Sequence, residues 1–392
     1  MVVTGLERFC ESPLGWVSDR RLGLLCNSAS VNRRFRHACR CIEEALPGRL
    51  RALFSPQHGF FAERQDNMVE SDHAIDPVLK IPIYSLYGET RVPTEEMMDG
   101  IDVLLVDLQD AGTRVYTFAS TVTYCLQSAK RFGKKVLILD RPNPINGVSV
   151  EGNCMVRECF SFVGLHPIPM RHGLTLGELM LLANRAYGIG CELSVMPMEG
   201  WHREMYFSDT GLPWVAPSPN LPTPASAMVY PGQVVWEGTN ISEGRGTTQP
   251  FELFGAPFVE PAAVCSRLEG PGTGGVVLRP LSFEPTSNKW SGKCCRGFQI
   301  HITDPARYAP YTLSLKLLQI LFLLYPDQFQ WKQPPYEYEY KRLPIDLILG
   351  DGRLRERIES GDPIDEVADS WQKELAEFSG LCSDYYLYRT QR

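Results

Sequence analysis

Two short apolar runs, each ending in aspartate, limit the possible folds of this chain more than any other feature. IDVLLVD occupies residues 101–107 and VLILD occupies residues 136–140. Continuous apolar runs of this length are typical of strands that are buried on both faces, as in parallel sheets. Residues 116–132 between them have a helical composition and are followed by Gly133, a residue type that commonly ends helices. The pattern predicts a parallel strand–helix–strand unit.

The same alternation extends along the first half of the chain. Further strands are predicted at 22–26, 50–54, 81–86 and 192–196, and further helices at 33–46 and 175–187. Pro82 indicates an edge strand or the start of a strand, because proline donates no ladder hydrogen bond. Thr175 and Glu178 have the spacing of a capping box at a helix start. Strands that alternate with helices predict a Rossmann-like, doubly wound α/β domain with a mostly parallel sheet.

The second half of the chain has a different composition. Residues 214–257 are rich in proline, glycine, threonine and asparagine, which predicts a long loop region. Beyond it we expect a helix near 261–268, strands around 276–281 and 297–302, a buried helix at 312–325, and polar helices near 353–360 and 364–378. These elements predict a smaller α+β domain. We place the Rossmann-like domain at 1–212 and the second domain at 213–392.

Composition excludes several classes of function. The 392 residues carry a formal net charge of −7, so no basic field indicates nucleic-acid binding. The most apolar segment, 313–324, is interrupted by Lys316 and Gln319 and is shorter than the ~20 residues of a membrane span. The twelve cysteines lack zinc-site spacing, and residues 1–16 lack the pattern of a secretory signal. We therefore expect a cytoplasmic protein without a nucleic-acid or membrane partner.

Polar side chains cluster after the predicted strands and in the long loop. Ligands of doubly wound sheets bind beyond the carboxyl ends of the strands. Carboxylates, amides and arginines at such a place suit a ligand with many hydroxyl groups. The residues of these clusters are Gln57, His58, Asp110, Arg114, Tyr116, Asn143, Asn220, Glu237, Asn240, Glu243 and Arg245.

Each of these features also has a purely structural interpretation. Asp107 and Asp140 end strands and could simply cap the turns that follow. His58 could be a turn histidine, and Asp110 with Arg114 could be a local ion pair. The fingerprints of dinucleotide binding, Walker A loops, nucleophile elbows and HExxH zinc sites are absent from the sequence. Carboxylate chemistry remains, and glycoside hydrolysis needs two carboxyl groups across a sugar-binding cleft.

Six blocks of sequence resemble one family, the exo-β-N-acetylmuramidases, which are glycoside hydrolases that were long a domain of unknown function. The blocks are SPQHGF (55–60), DVLLVDLQDAGTRVYTF (102–118), LDRPNPING (139–147), RHGLTLGEL (171–179), PSPNLPT (217–223) and EGTNISEGRGTTQPFELFGAP (237–257). The resemblance extends from about residue 22 to the carboxyl end. It implies a Rossmann-like domain, a smaller second domain and an active site in the cleft between them.

The resemblance also implies a reaction. It is the removal of β-1,4-linked N-acetylmuramic acid from the non-reducing end of peptidoglycan fragments, without a metal or an organic cofactor. The lactyl carboxylate of that sugar would bind an arginine, with Arg114, Arg141, Arg171 and Arg245 as candidates. A cytoplasmic member would act on small, imported, muropeptide-derived glycans.

One departure from the family concerns catalysis. Family members commonly carry glutamate at the position of Gln57, and that carboxyl is a natural candidate for the catalytic acid. A glutamine cannot donate a proton as a carboxylic acid does. Either another carboxylate, Asp110, Glu237 or Glu243, is the acid here, with Glu63 as a possible substitute, or this chain has a different substrate or no hydrolytic activity.

The remaining candidates are assigned to binding or orientation. His58 and His172 would orient the substrate or a carboxylate. The predicted sugar-binding residues are Gln57, Arg114, Tyr116, Asn143, Asn220, Asn240 and Arg245. Replacement of Glu243 by glutamine is expected to abolish turnover without disturbing the fold. The alternatives are a glycan-binding protein that lost its acid at Gln57, and metal-dependent hydrolysis through His58, His172 and Asp107.

Overall fold

The computed structural model describes residues 1–61, 64, 68–268 and 273–390. Its strands are Leu22–Cys26 (β1), Leu50–Ser55 (β2), Ala74–Ile75 (β3), Pro82–Ser85 (β4), Val103–Asp107 (β5), Lys135–Leu139 (β6), Glu192–Met196 (β7), Leu253–Ala256 (β8), Val276–Phe283 (β9) and Cys295–Ile302 (β10). Its helices are Gly5–Glu11 (α1), Gly15–Ser18 (α2), Ala38–Ala45 (α3), Glu95–Asp99 (α4), Phe118–Arg131 (α5), Leu176–Arg185 (α6), Pro224–Gln233 (α7), Pro261–Cys265 (α8), Pro310–Leu324 (α9), Pro344–Leu349 (α10), Gly352–Ser360 (α11), Ile364–Asp369 (α12) and Gln372–Cys382 (α13).

The larger sheet has the strand order β3-β4-β2-β1-β5-β6-β7. Its pairings are parallel except for the edge pair β3–β4, which is antiparallel. The chain builds outward from β1 to β2 and β4, and then returns to the other side of β1 at β5. This reversal between β1 and β5 is the topological switch point at which such sheets bind ligands. The predicted Rossmann-like, mostly parallel architecture is confirmed.

Strand β5 shows why the apolar runs are continuous. Val103 and Leu105 belong to a core that the sheet forms with helices α1 and α3. Leu104 and Val106 face the opposite core, which contains helices α5 and α6. Successive side chains of a strand point to opposite faces, so a sheet covered on both faces requires apolar residues at every position.

Several predicted boundaries in the first half are confirmed, and one helix is shorter. Strands β1 and β7 have the predicted bounds, and β4 begins at Pro82. The capping box at α6 is present, with the Glu178 backbone N–H donating to Thr175 Oγ1 and the Thr175 N–H donating to the Glu178 carboxylate. Helix α3 begins at Ala38 rather than at residue 33, because His37 caps it by accepting from the Cys39 N–H.

The second half contains an antiparallel sheet of order β8-β10-β9, flanked by helices. The prediction of a loop for residues 214–257 was wrong for β8 and for α7, which starts at Pro224 after the capping residue Thr223. Pro231 and Gly232, a pair typical of loops, lie inside this helix. Gly232 is required there because a Cβ atom would lie 2.0 Å from the Pro310 carbonyl oxygen of α9. The predicted helix at 364–378 is divided into α12 and α13.

Helix α9 is buried, as its apolar sequence predicted. Leu313, Leu317 and Leu321 are fully buried, and the Nζ atom of Lys316 lies 2.7 Å from a carboxylate oxygen of Asp365. Within the described ranges, no helix has the length and apolar character needed to cross a membrane.

Candidate active site

A cavity lies beyond the carboxyl ends of β2 and β5, next to the switch point of the sheet. Residues from both halves of the chain line it. They are Gln57, His58, Val115, Tyr116, Thr117, Phe118, Val163, Ser218, Asn220, Tyr230, Glu237, Arg245, Phe251, Tyr336 and Glu337. The structure therefore brings together six of the predicted site residues: Gln57, His58, Tyr116, Asn220, Glu237 and Arg245.

Glu237 is a buried carboxylate that is held in its charged form. It lies in a short 3₁₀ helix, Val234–Gly238. Arg245 donates to its Oε1 atom, and the Tyr336 hydroxyl donates to Oε2 at 2.7 Å. Burial alone would raise the pKa of Glu237, but Arg245 and the Tyr336 hydroxyl outweigh burial and lower that pKa below its ordinary value. The site thus contains an ionised carboxylate.

Glu243 holds Arg245 from the side away from the cavity lining. Its carboxylate lies 3.2 Å from Arg245 Nε and 2.7 Å from Lys289 Nζ, and it is not among the cavity-lining residues. Glu237, Arg245, Glu243 and Lys289 form what we call the charged network. Two carboxylates and two cations balance one another, so Arg245 is anchored where it can hold Glu237.

Glu337 is a second carboxyl group of the cavity, and no sequence pattern indicated it. Its Oε2 atom accepts from the Tyr87 hydroxyl at 2.6 Å, and its Oε1 atom accepts from Gln57 Nε2 at 3.0 Å. Burial raises the pKa of Glu337, and the negative charge of Glu237 raises it further. The hydrogen bonds from Tyr87 and Gln57 and the charge of Arg91 only partly oppose this rise in the pKa of Glu337. Two carboxyl groups with pKa values moved in opposite directions are the pattern of an acid paired with a base.

A tight turn presents Glu337 to the cavity. Tyr336 and Glu339 exchange backbone hydrogen bonds of 2.9 Å in both directions. Glu337 and Tyr338 at the tip have φ values of 47° and 65°, in the left-handed region that non-glycine residues rarely adopt. Such conformations cost about 1–3 kcal/mol each and occur often at functional sites. Turns of this shape usually carry asparagine and glycine, so the Glu-Tyr pair gave no signal in the sequence.

Gln57 is oriented by its neighbours. The Thr117 hydroxyl donates to its Oε1 atom at 2.5 Å, which leaves the amide nitrogen facing Glu337 and Tyr87. Gln57, Tyr87 and Thr117 form what we call the neutral cluster. The adjacent His58 has a φ of 76°, and its Nδ1 lies 2.7 Å from the Arg64 carbonyl oxygen. Glu63, the possible substitute acid, lies outside the described residues.

Aromatic rings and small polar groups complete the cavity. Tyr230 meets Tyr116 edge-on at a centroid distance of 6.0 Å and meets Phe251 at 4.8 Å. Ser218 and Asn220 lie on the same lining. Apolar ring faces beside hydroxyl and amide groups match the alternating apolar and hydroxyl surfaces of a sugar.

Six predicted site residues do not line the cavity: Asp110, Arg114, Asn143, His172, Asn240 and Glu243. Asp110 is buried, accepts from the Gly112 N–H at 2.6 Å, and lies 3.7 Å from His172 Nε2. Asn143 donates to the Leu174 carbonyl. These groups order the loops after β5 and β6.

Asn240 also orders its own loop. Its side-chain nitrogen donates to the Gln328 carbonyl at 2.8 Å, and its oxygen accepts from the Gln330 N–H at 3.1 Å. Both bonds join the loop at 237–248 to the segment after α9.

Among the described residues, Arg245 alone of the candidate arginines lines the cavity. Arg114 donates to the backbone carbonyls of Asn153, Ile168, Ile348 and Leu349. Arg141 pairs with Asp107 at 2.6 Å, and Arg171 donates to the Ile145 carbonyl. These arginines are engaged in holding the backbone.

The residues named for metal-dependent hydrolysis are not clustered. Across the described ranges, no group of three or more His, Cys, Asp and Glu side chains is arranged to hold a metal ion. Asp107 is paired with Arg141, and His172 lies near Asp110 rather than near His58 in the cavity lining.

Comparison with known proteins gives a consistent result along the whole chain. Residues 22–225 match the family model of the amino-terminal part of exo-β-N-acetylmuramidase NamZ, and residues 228–388 match that of its carboxy-terminal part. The peptidoglycan β-N-acetylmuramidase NamZ of Bacillus subtilis (strain 168) is 39% identical over 387 residues, which cover 99% of this chain and 91% of that protein.

Two crystal structures of DUF1343 family proteins from Bacteroides fragilis NCTC 9343 have the same fold. One is 34% identical with a TM-score of 0.88 and covers 99% of both chains. The other is 27% identical with a TM-score of 0.75 and covers 100% of both chains.

Proposed function

This chain belongs to the NamZ family and is an exo-β-N-acetylmuramidase, a glycoside hydrolase; on that premise, we propose that it removes N-acetylmuramic acid from the non-reducing ends of small peptidoglycan-derived glycans. The proposed site is the cavity beyond β2 and β5. Exo-action would place one terminal sugar in this cavity and leave the rest of the glycan outside.

The observation that carries the proposal is the state of Glu237. Arg245 and Tyr336 hold it as a carboxylate within a buried, partly aromatic cavity. Glycoside hydrolysis develops positive charge on the sugar ring, and a fixed carboxylate stabilises that charge by attraction or by bond formation. We assign this role to Glu237.

The remaining lining residues are proposed to bind the sugar. Tyr116 and Tyr230 supply aromatic rings to the cavity lining, and Asn220 and Ser218 supply groups that can bond to hydroxyls. Arg245 is proposed to act mainly through Glu237, since Glu237 and Glu243 both pair with its guanidinium.

The test compares two chromogenic glycosides and one natural disaccharide. Purified protein is incubated with the 4-nitrophenyl β-glycosides of N-acetylmuramic acid and of N-acetylglucosamine, and with β-1,4-linked N-acetylmuramyl-N-acetylglucosamine. Hydrolysis of the two muramic acid substrates alone is expected. Equal hydrolysis of both chromogenic glycosides would contradict the assigned sugar specificity, and binding without turnover of any substrate would indicate a glycan-binding protein.

A further inference from the structure

The Glu337 carboxyl faces the cavity from the tight turn between Tyr336 and Glu339. It is 4% exposed and lines the same cavity as Glu237. In the described part of the chain, the groups that hydrogen-bond to this carboxyl are a phenol and an amide, both neutral. Glu237, by contrast, is paired with a guanidinium. Arg91 lowers the pKa of Glu337 through its charge alone, and no cation among the described residues is hydrogen-bonded or ion-paired to this carboxyl.

We propose that Glu337 is the proton donor to the departing sugar in this chain, in place of the carboxyl that Gln57 lacks. The inference rests on the proposed function. Gln57 and Glu337 are in direct contact, although 280 residues separate them in sequence. A carboxyl on Glu337 therefore occupies nearly the same part of the cavity as one on residue 57 would.

The backbone supports this assignment. A carboxyl group that served only to bond to Tyr87 could be supplied from an unstrained conformation. Here, two consecutive non-glycine residues, Glu337 and Tyr338, adopt left-handed conformations that turn the carboxyl inward. Strain of this kind persists only where the surroundings enforce it, and it concentrates at sites of chemistry.

The proposed step is balanced in atoms and charge. The bond between C1 of the muramic acid and the glycosidic oxygen breaks, and the proton of Glu337 forms a new O–H bond on the departing oxygen. The aglycone leaves with a free hydroxyl, while Glu237 stabilises the positive ring. The oxygen of one water molecule bonds to C1, and a proton from that water restores the acid form of Glu337.

The orientation of Gln57 also positions the Glu337 carboxyl. Its amide nitrogen donates to Glu337 Oε1 because Thr117 holds its carbonyl oxygen. The remaining oxygen, Oε2, lies next to the Tyr87 hydroxyl. Gln57 is therefore a positioning residue that holds Oε1 of Glu337, as the Tyr87 hydroxyl holds Oε2.

The test uses the dependence on the leaving group, which a merely structural role would not change. 4-Nitrophenolate leaves without a proton, whereas the sugar hydroxyl of the natural disaccharide must be protonated. In Glu337→Gln, we expect kcat on N-acetylmuramyl-N-acetylglucosamine to fall by about 10²- to 10⁴-fold, the usual contribution of general acid catalysis. The fall on 4-nitrophenyl N-acetylmuramic acid is expected to be at least about tenfold smaller.

Two further variants make the result decisive. Glu339→Gln changes the same turn outside the cavity and is expected to keep both activities. Glu337→Asn removes the acid with a residue that tolerates positive φ, so it serves if Glu337→Gln does not fold. An equal fall on both substrates, or no fall, in a folded Glu337 variant would overturn the inference. Failure of the unsubstituted protein on both muramic acid substrates would instead overturn the proposed function, and the inference with it.

Discussion

The two carboxyl groups of the cavity are held by opposite kinds of surroundings. Glu237 belongs to the charged network, in which guanidinium and ammonium groups balance the carboxylates. Glu337 faces the neutral cluster, in which a phenol and an amide are its partners. Both side chains are almost fully buried. Burial alone therefore does not determine their protonation, and the charge of the nearest partner does.

This difference has a structural origin. The charged network is built within the second half, from the loop after α7 and from Lys289. The neutral cluster comes from the segments that follow β2, β4 and β5 of the large sheet. The cavity thus has a carboxylate paired with a cation on one side and a carboxyl hydrogen-bonded to neutral groups on the other, which suits the two roles proposed for them in glycoside hydrolysis.

The largest effect is expected from Glu237→Gln, which removes the negative charge from the charged side. Because the role proposed for Glu237 is to stabilise the sugar ring and not the leaving group, kcat should fall by the same factor, roughly 10³-fold or more, on both muramic acid substrates. Steady-state kinetics on the two substrates measures this. A fall confined to the natural disaccharide would reverse the roles of Glu237 and Glu337.

Glu243→Gln tests whether the charged network holds the fold as well as the site. The variant leaves Lys289 buried without its carboxylate, which should lower the free energy of unfolding by about 3–5 kcal/mol. This expectation replaces the one from sequence, in which the fold stayed intact and turnover was lost. Urea denaturation followed by tryptophan fluorescence provides the measurement.

Glu260→Gln is the matched control for that experiment. Glu260 pairs with Arg296 at 2.6 Å, but both side chains are about half exposed. Loss of an exposed pair should change the free energy of unfolding by less than about 1 kcal/mol. Equal effects of the two variants would show that the charged network contributes no more to the free energy of unfolding than an exposed ion pair does.

A smaller effect is expected from Tyr336→Phe, which reduces the difference in pKa between Glu237 and Glu337. The Tyr336 hydroxyl donates to the charged form of Glu237 and so lowers its pKa. Without it, the pKa of Glu237 rises, and the acidic limb of the kcat/KM profile moves to higher pH. We expect an activity loss of about tenfold on the acidic side, where Glu237 becomes protonated.

The profile is measured between pH 3 and 8 on the chromogenic substrate. Tyr340→Phe, at an exposed position outside the cavity lining, serves as control and should leave the profile unchanged. A shift of the acidic limb to lower pH would contradict the assignment of Glu237 as the ionised group.

The smallest effect is expected from Thr117→Val, which removes the hydrogen bond that orients Gln57. The amide can then rotate, and Glu337 loses a fixed donor. One neutral hydrogen bond corresponds to a fall of about 2- to 10-fold in kcat/KM on the disaccharide. Thr121→Val in the same helix, outside the cavity lining, is the control. Equal losses in both variants would attribute the effect to helix α5 rather than to Gln57.

The large sheet could be predicted because each of its central strands is marked by a pattern within its own short stretch of sequence. Each of its central strands is a continuous apolar run, and each run follows from burial on both faces. The helix at Pro224–Gln233 was missed for a reason that is not local. Its Pro231-Gly232 pair has loop character in sequence, and the close approach of α9 that requires Gly232 is visible only in three dimensions.

The site was predictable only in part, for the same reason. The polar loops after β2 and after α7 were identified, since position after a strand and composition are sequence properties. Glu337 was not identified, because its turn lacks the usual residues and its partner Gln57 is remote in sequence. Arg114 was assigned to the substrate although its partners are backbone carbonyls up to 235 residues away.

The position of Arg114 has a consequence for how this family can evolve. Its guanidinium is buried in the first half of the chain, yet it donates to the carbonyls of Ile348 and Leu349 at the end of α10. An exchange of halves between relatives must preserve this fit, or a buried cation loses its acceptors. Arg114 thus joins the parts of this chain that separate family models match.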